Sequence, residues 1–313
     1  MNRLPGDCNP FAISSFDRVS KDSAPAPSTR QKIAFAKGIS STRLNLGIAV
    51  MPSNRLGILG LLVTLPALAQ VTSGPTAPVA TTPISPRQHA PMRFHKLRSD
   101  GTLESENWSG YAVTGSSFTH VRGTWIVPTV FCGVTPNTYS SFWVGLDGLS
   151  SGTVEQIGTD SDCDGVSPSY YAWYEFNPSP AMFIGSLSIE PGNQMSATVS
   201  YSDEEFTLTI TNETTGESFS KSSPVSGAKR SSAEWIAEAP CCTMSGGILP
   251  LADFEIVAFG ADHATDASTA GPISAFRSNV QKMTMASSKG VDEAAPSPLM
   301  SDGTSFKVTW KSE

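Results

Sequence analysis

An all-β fold, a sandwich or a barrel, is predicted by three features of the sequence. Short runs of β-branched and aromatic residues recur from about residue 104 onward. Gly, Pro, Asn, Asp and Ser punctuate them, and no helical pattern of ten or more residues follows residue 100. Runs of this kind fit a pleated, half-buried surface, and the punctuating residues supply the turns. Taken in order, strands are predicted at Trp108–Val113, His120–Val127, Ser140–Gly145, Ser169–Phe176 and Ile184–Ile189. Further strands are predicted at Gln194–Tyr201, Phe206–Thr211, Ser232–Glu238, Phe254–Phe259 and Ser305–Trp310. Many short strands at regular spacing close into a sandwich or barrel rather than an open sheet. Residues 264–270 and 287–298 read as loops, and no internal repeat is visible.

Length and charge divide the chain. Its 313 residues are enough for one large domain or two small ones. Residues 1–100 carry a net charge of +8, and residues 101–313 a net charge of −15. An acidic main body excludes the basic footprint that nucleic-acid binding needs. It also carries only nine Lys and Arg, so self-repulsion stays small when its carboxylates are protonated in acid.

Residues 51–69 (MPSNRLGILGLLVTLPALA) have a positive residue, an apolar run and a small-residue end, as a secretory signal peptide does. Cleavage is expected before Gln70, and the run is too short for a membrane span. Met51 is then the expected start of the natural chain, with 1–50 an upstream extension or a long n-region. Residues 70–103 are rich in Pro, Thr and Ala, lack strand or helix periodicity, and read as a linker or propeptide. Their end holds the basic cluster Arg87, Arg93, Lys96 and Arg98. The body is residues 104–313. An exported chain permits disulfides, and Cys132 with Cys163 is the expected pair. Cys241 and Cys242 are left open.

Several chemistries find no support. There is no HExxH and no Cys/His spacing for zinc, so no metal or cofactor is expected. Gly148-Leu149-Ser150-Ser151-Gly152 fits G-x-S-x-G but is not followed by a helix, so it reads as a turn. His120 and His263 are the body's two histidines and read as structural or surface residues. Asp160-Ser161-Asp162-Cys163-Asp164-Gly165 opens like a calcium loop, but its twelfth position is Tyr171 rather than Glu, so it reads as a polar turn. Asn107-Trp108-Ser109 and Asn212-Glu213-Thr214 are glycosylation sequons.

Three segments place carboxylates among aromatic strand residues. They are Phe142–Gly148 with Glu155-Gln156-Ile157-Gly158, Tyr171–Pro178, and Ser231–Glu238. Strand alternation puts Trp173 and Glu175 on one face, and Glu234, Ile236 and Glu238 on one face. Burial there raises a carboxyl pKa and poises it for acid chemistry. A solvent-facing strand fits the same pattern equally well.

These segments, with Asn107–Val113 and Gly123–Pro128, resemble the glutamic peptidases, the eqolisin family. Five separated segments occur in the family's order across about 104–260. The resemblance implies a sandwich of two antiparallel sheets, concanavalin A/lectin-like. It implies a pepstatin-insensitive endopeptidase acting in acid on polypeptides with a Gln/Glu dyad. It assigns the dyad to Gln156 and Glu238, with Trp143, Asp147, Asp160, Trp173, Glu175 and Glu234 lining or supporting the cleft. The chain departs from the family pattern at Asn177 and after Glu238, in loops expected to set subsite preference. In that reading Glu238 takes a proton from water and returns it to the leaving amine, while Gln156 steadies the oxyanion. The expected protein is secreted, monomeric, and free of nucleic-acid or membrane partners once the signal is removed. The basic segment 87–98, beside an acidic body, is expected to cover the cleft near neutral pH and to leave in acid as carboxylates are protonated. The rival is a lectin-like carbohydrate binder or glycoside hydrolase, since aromatics with two carboxylates also suit sugars. A two-carboxylate scheme gives Gln156 no part.

Overall fold

The computed structural model describes residues 86–241 and 247–313. The predicted signal segment 51–69, the extension 1–50 and residues 70–85 lie outside the described residues. Seventeen strands and one 3-10 turn, Ile273–Asn279, make up the described fold. The strands are β1 (Phe94–Leu97), β2 (Leu103–Ser105), β3 (Trp108–Thr114), β4 (His120–Ile126), β5 (Ser141–Leu146) and β6 (Val154–Asp164). They continue with β7 (Ser167–Asn177), β8 (Met182–Phe183), β9 (Gln194–Ser202), β10 (Glu205–Asn212), β11 (Glu217–Ser223) and β12 (Ser232–Glu238). The last are β13 (Ile256–Thr265), β14 (Ala270–Pro272), β15 (Val280–Ala286), β16 (Asp292–Pro296) and β17 (Phe306–Trp310).

Two sheets result. The front sheet runs β1-β2-β15-β3-β12-β5-β6-β7-β8, antiparallel except where β15 meets β2. The back sheet runs β11-β10-β9-β4-β13-β17-β16. β16 also pairs with β15 and so joins the two sheets at one edge.

Burial follows position in the sandwich. In β9 and β10, alternate residues Met195, Ala197, Val199, Phe206, Leu208 and Ile210 are buried, and the intervening polar residues form the outer face. They meet Val144, Leu146, Ile157, Ala233 and Trp235 of the front sheet in one core. Fully burying such a side chain contributes about 1.5–3 kcal/mol. The Trp125 indole donates to Thr159 Oγ1 at 2.9 Å and crosses from back sheet to front. β12 differs, because every residue from Ser232 to Glu238 is buried. Its second face meets a separate cluster of Trp108, Trp143, Trp173, Tyr171 and Ile236 on the far side of the front sheet.

The sequence expectations need four corrections. Asp160–Asp164 is not a turn, because it continues β6, and the reversal comes at Gly165 and Val166. Residues 184–189 form no strand. Ile184, Leu187 and Ile189 are buried one by one as the chain crosses toward β9. Their apolar pattern reflects burial without a ladder. Residues 292–296, expected in a loop, form β16. Residues 94–97, expected to lack regular structure, form β1 against β2. Both sequon asparagines are wholly buried. Asn107 and Asn212 spend their amides on internal hydrogen bonds, which leaves no room for a glycan. Among the described residues, no helix is long and apolar enough to cross a membrane.

Candidate active site

Cross-strand register brings the candidate residues onto the far face of the front sheet in three rungs. Glu238 of β12 pairs with Ser141 of β5, Ser141 with Asp160 of β6, and Asp160 with Tyr171 of β7. The second rung is Ile236, Trp143, Gly158 and Trp173. The third is Glu234, Gly145, Gln156 and Glu175. Directly paired residues share a face, so the ten side chains of these rungs, Gly145 and Gly158 having none, point the same way. Gly158 is required by the second rung. A Cβ there would overlap the Phe142 carbonyl oxygen and Trp143 Cβ.

Glu238 is held from two sides. Trp143 Nε1 donates to Glu238 Oε2 at 2.8 Å, and the Trp143 ring rests edge-on against Trp108 at 4.9 Å. From above come His89 Nδ1, 3.2 Å from Oε2, and the Ala90 backbone N–H, 3.3 Å from Oε1. On the third rung, Gln156 Nε2 donates to Glu175 Oε2 at 2.8 Å. Gln156 and Glu238 are both wholly buried.

The other acids fall into two groups. Asp160 accepts from Ser141 Oγ and from the Tyr171 hydroxyl, the latter at 2.8 Å. Burial and the neighbouring Asp162 raise its pKa. Burial likewise raises Asp162, against the opposing charge of Arg87. Burial, then the charge of Glu238, raises Glu175 well above the carboxylate range. Asp147 does not face this cleft chemistry. Its carboxylate accepts from the backbone N–H groups of Lys229, Arg230 and Ser231 at 2.6–2.8 Å and pins the entry to β12. Near it, burial and then Asp147 push Glu155 to about 9. Burial also raises Glu234, with Asp147 and Glu155 adding to it. Among the described residues, no group of His, Cys, Asp and Glu could hold a metal.

Cys132 and Cys163 form a disulfide, with Cα atoms 5.2 Å apart. Cys163 lies in β6 rather than in a loop, so the bond ties the segment after β4 to the sheet that carries Asp160 and Asp162. Cys241 is disulfide-bonded as well.

Residues 86–93 run along the cleft. Gln88 exchanges two backbone hydrogen bonds with Cys241, at 3.0 and 2.8 Å. His89 stacks on Trp173 with ring centroids 3.6 Å apart and planes 14° apart. Asn107 Nδ2 reaches the carbonyls of Ala90 and Pro91, and Met92 N–H donates to the Gly148 carbonyl. Arg87 binds Asp162 at 3.1 Å and Asp164 at 2.9 Å, with its guanidinium 4.0 Å over the Tyr139 ring. Farther along, Lys96 and Arg98 close on buried Glu104 at 3.2 and 2.7 Å.

Sequence reasoning missed Ser141, Tyr171, Asp162 and His89 as site residues, whereas the basic segment from Arg87 onward was expected over the cleft. Period two from Trp143 and Trp173 points to Ser141 and Tyr171. Charge points to Arg87, but nothing local to His89 announces the cleft, because its partner Glu238 lies 149 residues away.

The matches with known proteins agree with this architecture. A family model described as the Peptidase A4 family matches residues 106–309. Aspergillopepsin-2 of Aspergillus niger is 30% identical over 213 residues, which is 59% of this chain and 75% of that protein. A crystal structure of scytalido-glutamic peptidase with a transition state analog inhibitor superposes with a TM-score of 0.57 at 27% identity, over 66% of this chain and 98% of that one. SCP-B, a member of the Eqolisin family in complex with the tripeptide Ala-Ile-His, superposes with a TM-score of 0.55 at 28% identity and the same coverage. The chain is a peptidase and belongs to the Peptidase A4 family, the eqolisins.

Proposed function

We propose that this peptidase is a secreted, acid-acting endopeptidase in which Glu238 and Gln156 carry the reaction. The observation that supports this best is the peptide already lying on Glu238. The Ala90 N–H meets one carboxylate oxygen while Trp143 holds the other. In the forward reaction Glu238 takes a proton from water, the hydroxyl adds to the substrate carbonyl carbon, and the carbonyl oxygen becomes an oxyanion. Gln156, which does not titrate, donates an amide N–H to that oxyanion. The proton on Glu238 then passes to the leaving nitrogen as the C–N bond breaks. Asp160 and Glu175, with raised pKa values, keep negative charge low around the cleft in acid.

Residues 70–103 act in this reading as a propeptide whose portion 86–93 covers the cleft. Residues 51–69 direct export. The decisive test uses the full chain, activated by acid incubation and assayed on an unfolded protein at acid pH. E238Q is expected to lose activity almost entirely. Q156A is expected to lose about 100- to 1000-fold in kcat, the usual cost of an oxyanion donor. An active, folded E238Q enzyme would sink the assignment.

A further inference from the structure

Gln156 is wholly buried, yet only one end of its carboxamide is satisfied. Nε2 donates to Glu175 Oε2 at 2.8 Å, while Oε1 has no hydrogen-bond partner among the described residues. A buried, unpartnered carbonyl oxygen is costly, about 1–3 kcal/mol, and calls for an account. The two ends of a carboxamide have nearly the same shape and opposite chemistry, so a half-turn exchanges donor for acceptor without altering the packing.

We infer that Glu175 is a positioning residue whose protonation decides which end of the Gln156 carboxamide faces the reacting peptide. The inference rests on the reading of Gln156 as the oxyanion donor. An ionised Glu175 has no proton to give, so it can only accept from Gln156 Nε2. The carbonyl oxygen then faces away from Glu175, toward the place where an oxyanion has to form, and two negative oxygens oppose each other. A protonated Glu175 donates its O–H to Gln156 Oε1 instead. That satisfies the orphaned oxygen and turns the NH2 group outward, where it can donate to the oxyanion. Acid therefore assembles the oxyanion site through one hydrogen-bond reversal.

The surroundings of Glu175 favour the protonated form. Burial acts first, then the charge of Glu238 from β12, with Asp160 of β6 adding to it. Hydrogen bonds from Gln156 of β6 and Asn177 of β7 oppose the shift and are outweighed. On the same rung β5 contributes only Gly145, and Glu234 of β12 lies beyond it, under the charges of Asp147 and Glu155. His89 of the covering segment addresses Glu238 and leaves with that segment.

The experiment measures kcat and KM from acid to neutral pH for the acid-activated wild type, E175Q and E175A on an unfolded protein. Glutamine at 175 can donate to Gln156 Oε1 at every pH. E175Q is expected to keep its acid kcat and to hold it about one pH unit or more further toward neutrality, with KM little changed. E175A, with no donor, is expected to lose about tenfold or more in kcat at all pH values. A folded E175Q that is inactive, or whose upper limb matches wild type, overturns the inference. A second readout does not depend on E175Q folding. The side-chain amide resonances of Gln156, followed by 15N NMR in the wild type, are expected to move through a single titration. Resonances indifferent to pH overturn the inference. Q156A and E238Q in the same series separate the two levels. If either stays active, the dyad itself is wrong. If both fail while E175Q follows the wild-type profile, only the role of Glu175 is wrong.

Discussion

The Trp143 indole N–H and the Glu238 carboxylate face each other across adjacent strands at 2.8 Å, one rung apart in register. Trp143 is itself fixed by Trp108, so the carboxylate is aimed by a rigid aromatic rather than by a mobile side chain. W143F deletes the donor and leaves a smaller aromatic ring in its place. The lost hydrogen bond to a charged acceptor amounts to about 1.5–3 kcal/mol. If it operates in the transition state, kcat falls about 10- to 100-fold. Steady-state kinetics on the activated enzyme check this, and an unchanged kcat means that Trp143 only packs.

Residues 86–93 cover both Glu238 and Trp173, so the full chain is expected to be inactive toward added peptide at neutral pH. Arg87 fastens this segment to Asp162, whose pKa burial has raised. A carboxyl with a raised pKa loses its charge at a higher pH than an ordinary Asp. The attraction is therefore present above that value and is lost as pH falls through it. N-terminal processing, followed by intact mass against pH, is expected in acid only, and R87A moves its onset toward neutrality. A precursor already active with the segment attached contradicts this arrangement.

Gly158 separates two tryptophans and has no room for a Cβ. G158A forces Trp143 or the Phe142 carbonyl aside, a kind of overpacking that costs about 1–3 kcal/mol. Since Trp143 carries Glu238, activity is expected to fall further than stability does. Urea unfolding and kcat/KM on the same preparation compare the two losses.

Much of this site was legible from strand period. Alternation alone placed Trp173 with Glu175, and Glu234 with Glu238, on common faces, and the register confirms the sharing. It left burial undecided, because a strand carries no mark of what lies over it. β12 is buried on both faces since the back sheet meets one and the tryptophan cluster with the covering segment meets the other. Asp160–Asp164 misled for a related reason. Alternating acids look like a turn when their partners Tyr171, Ser141 and Arg87 sit on other segments of the chain. The family resemblance pointed to Gln156, but only the coordinates reveal its unpartnered oxygen.

The pH dependence of stability follows from the same burial, with its sign set by raised pKa values. Glu155 titrates at about 9 in the fold, chiefly through burial. Unfolded, a Glu titrates near 4.3, so between about pH 4 and 9 the folded state binds more protons than the unfolded one. Stability contributed by the neutral carboxyl is therefore complete below about pH 4 and declines as pH rises toward 9. Glu234, Glu175 and Asp262 are raised by burial too and act in the same direction. Each group that ionises only on unfolding adds a slope of about 1.4 kcal/mol per pH unit. The melting temperature is expected to fall steadily from pH 4 to pH 8. E155Q removes one of these titrations while keeping the shape of the side chain, and is expected to flatten the fall and to melt later than wild type at pH 8. Calorimetry across that range checks both. A wild-type melting temperature that rises with pH over the same interval means these carboxyls are ionised in the fold, against the burial the structure gives them.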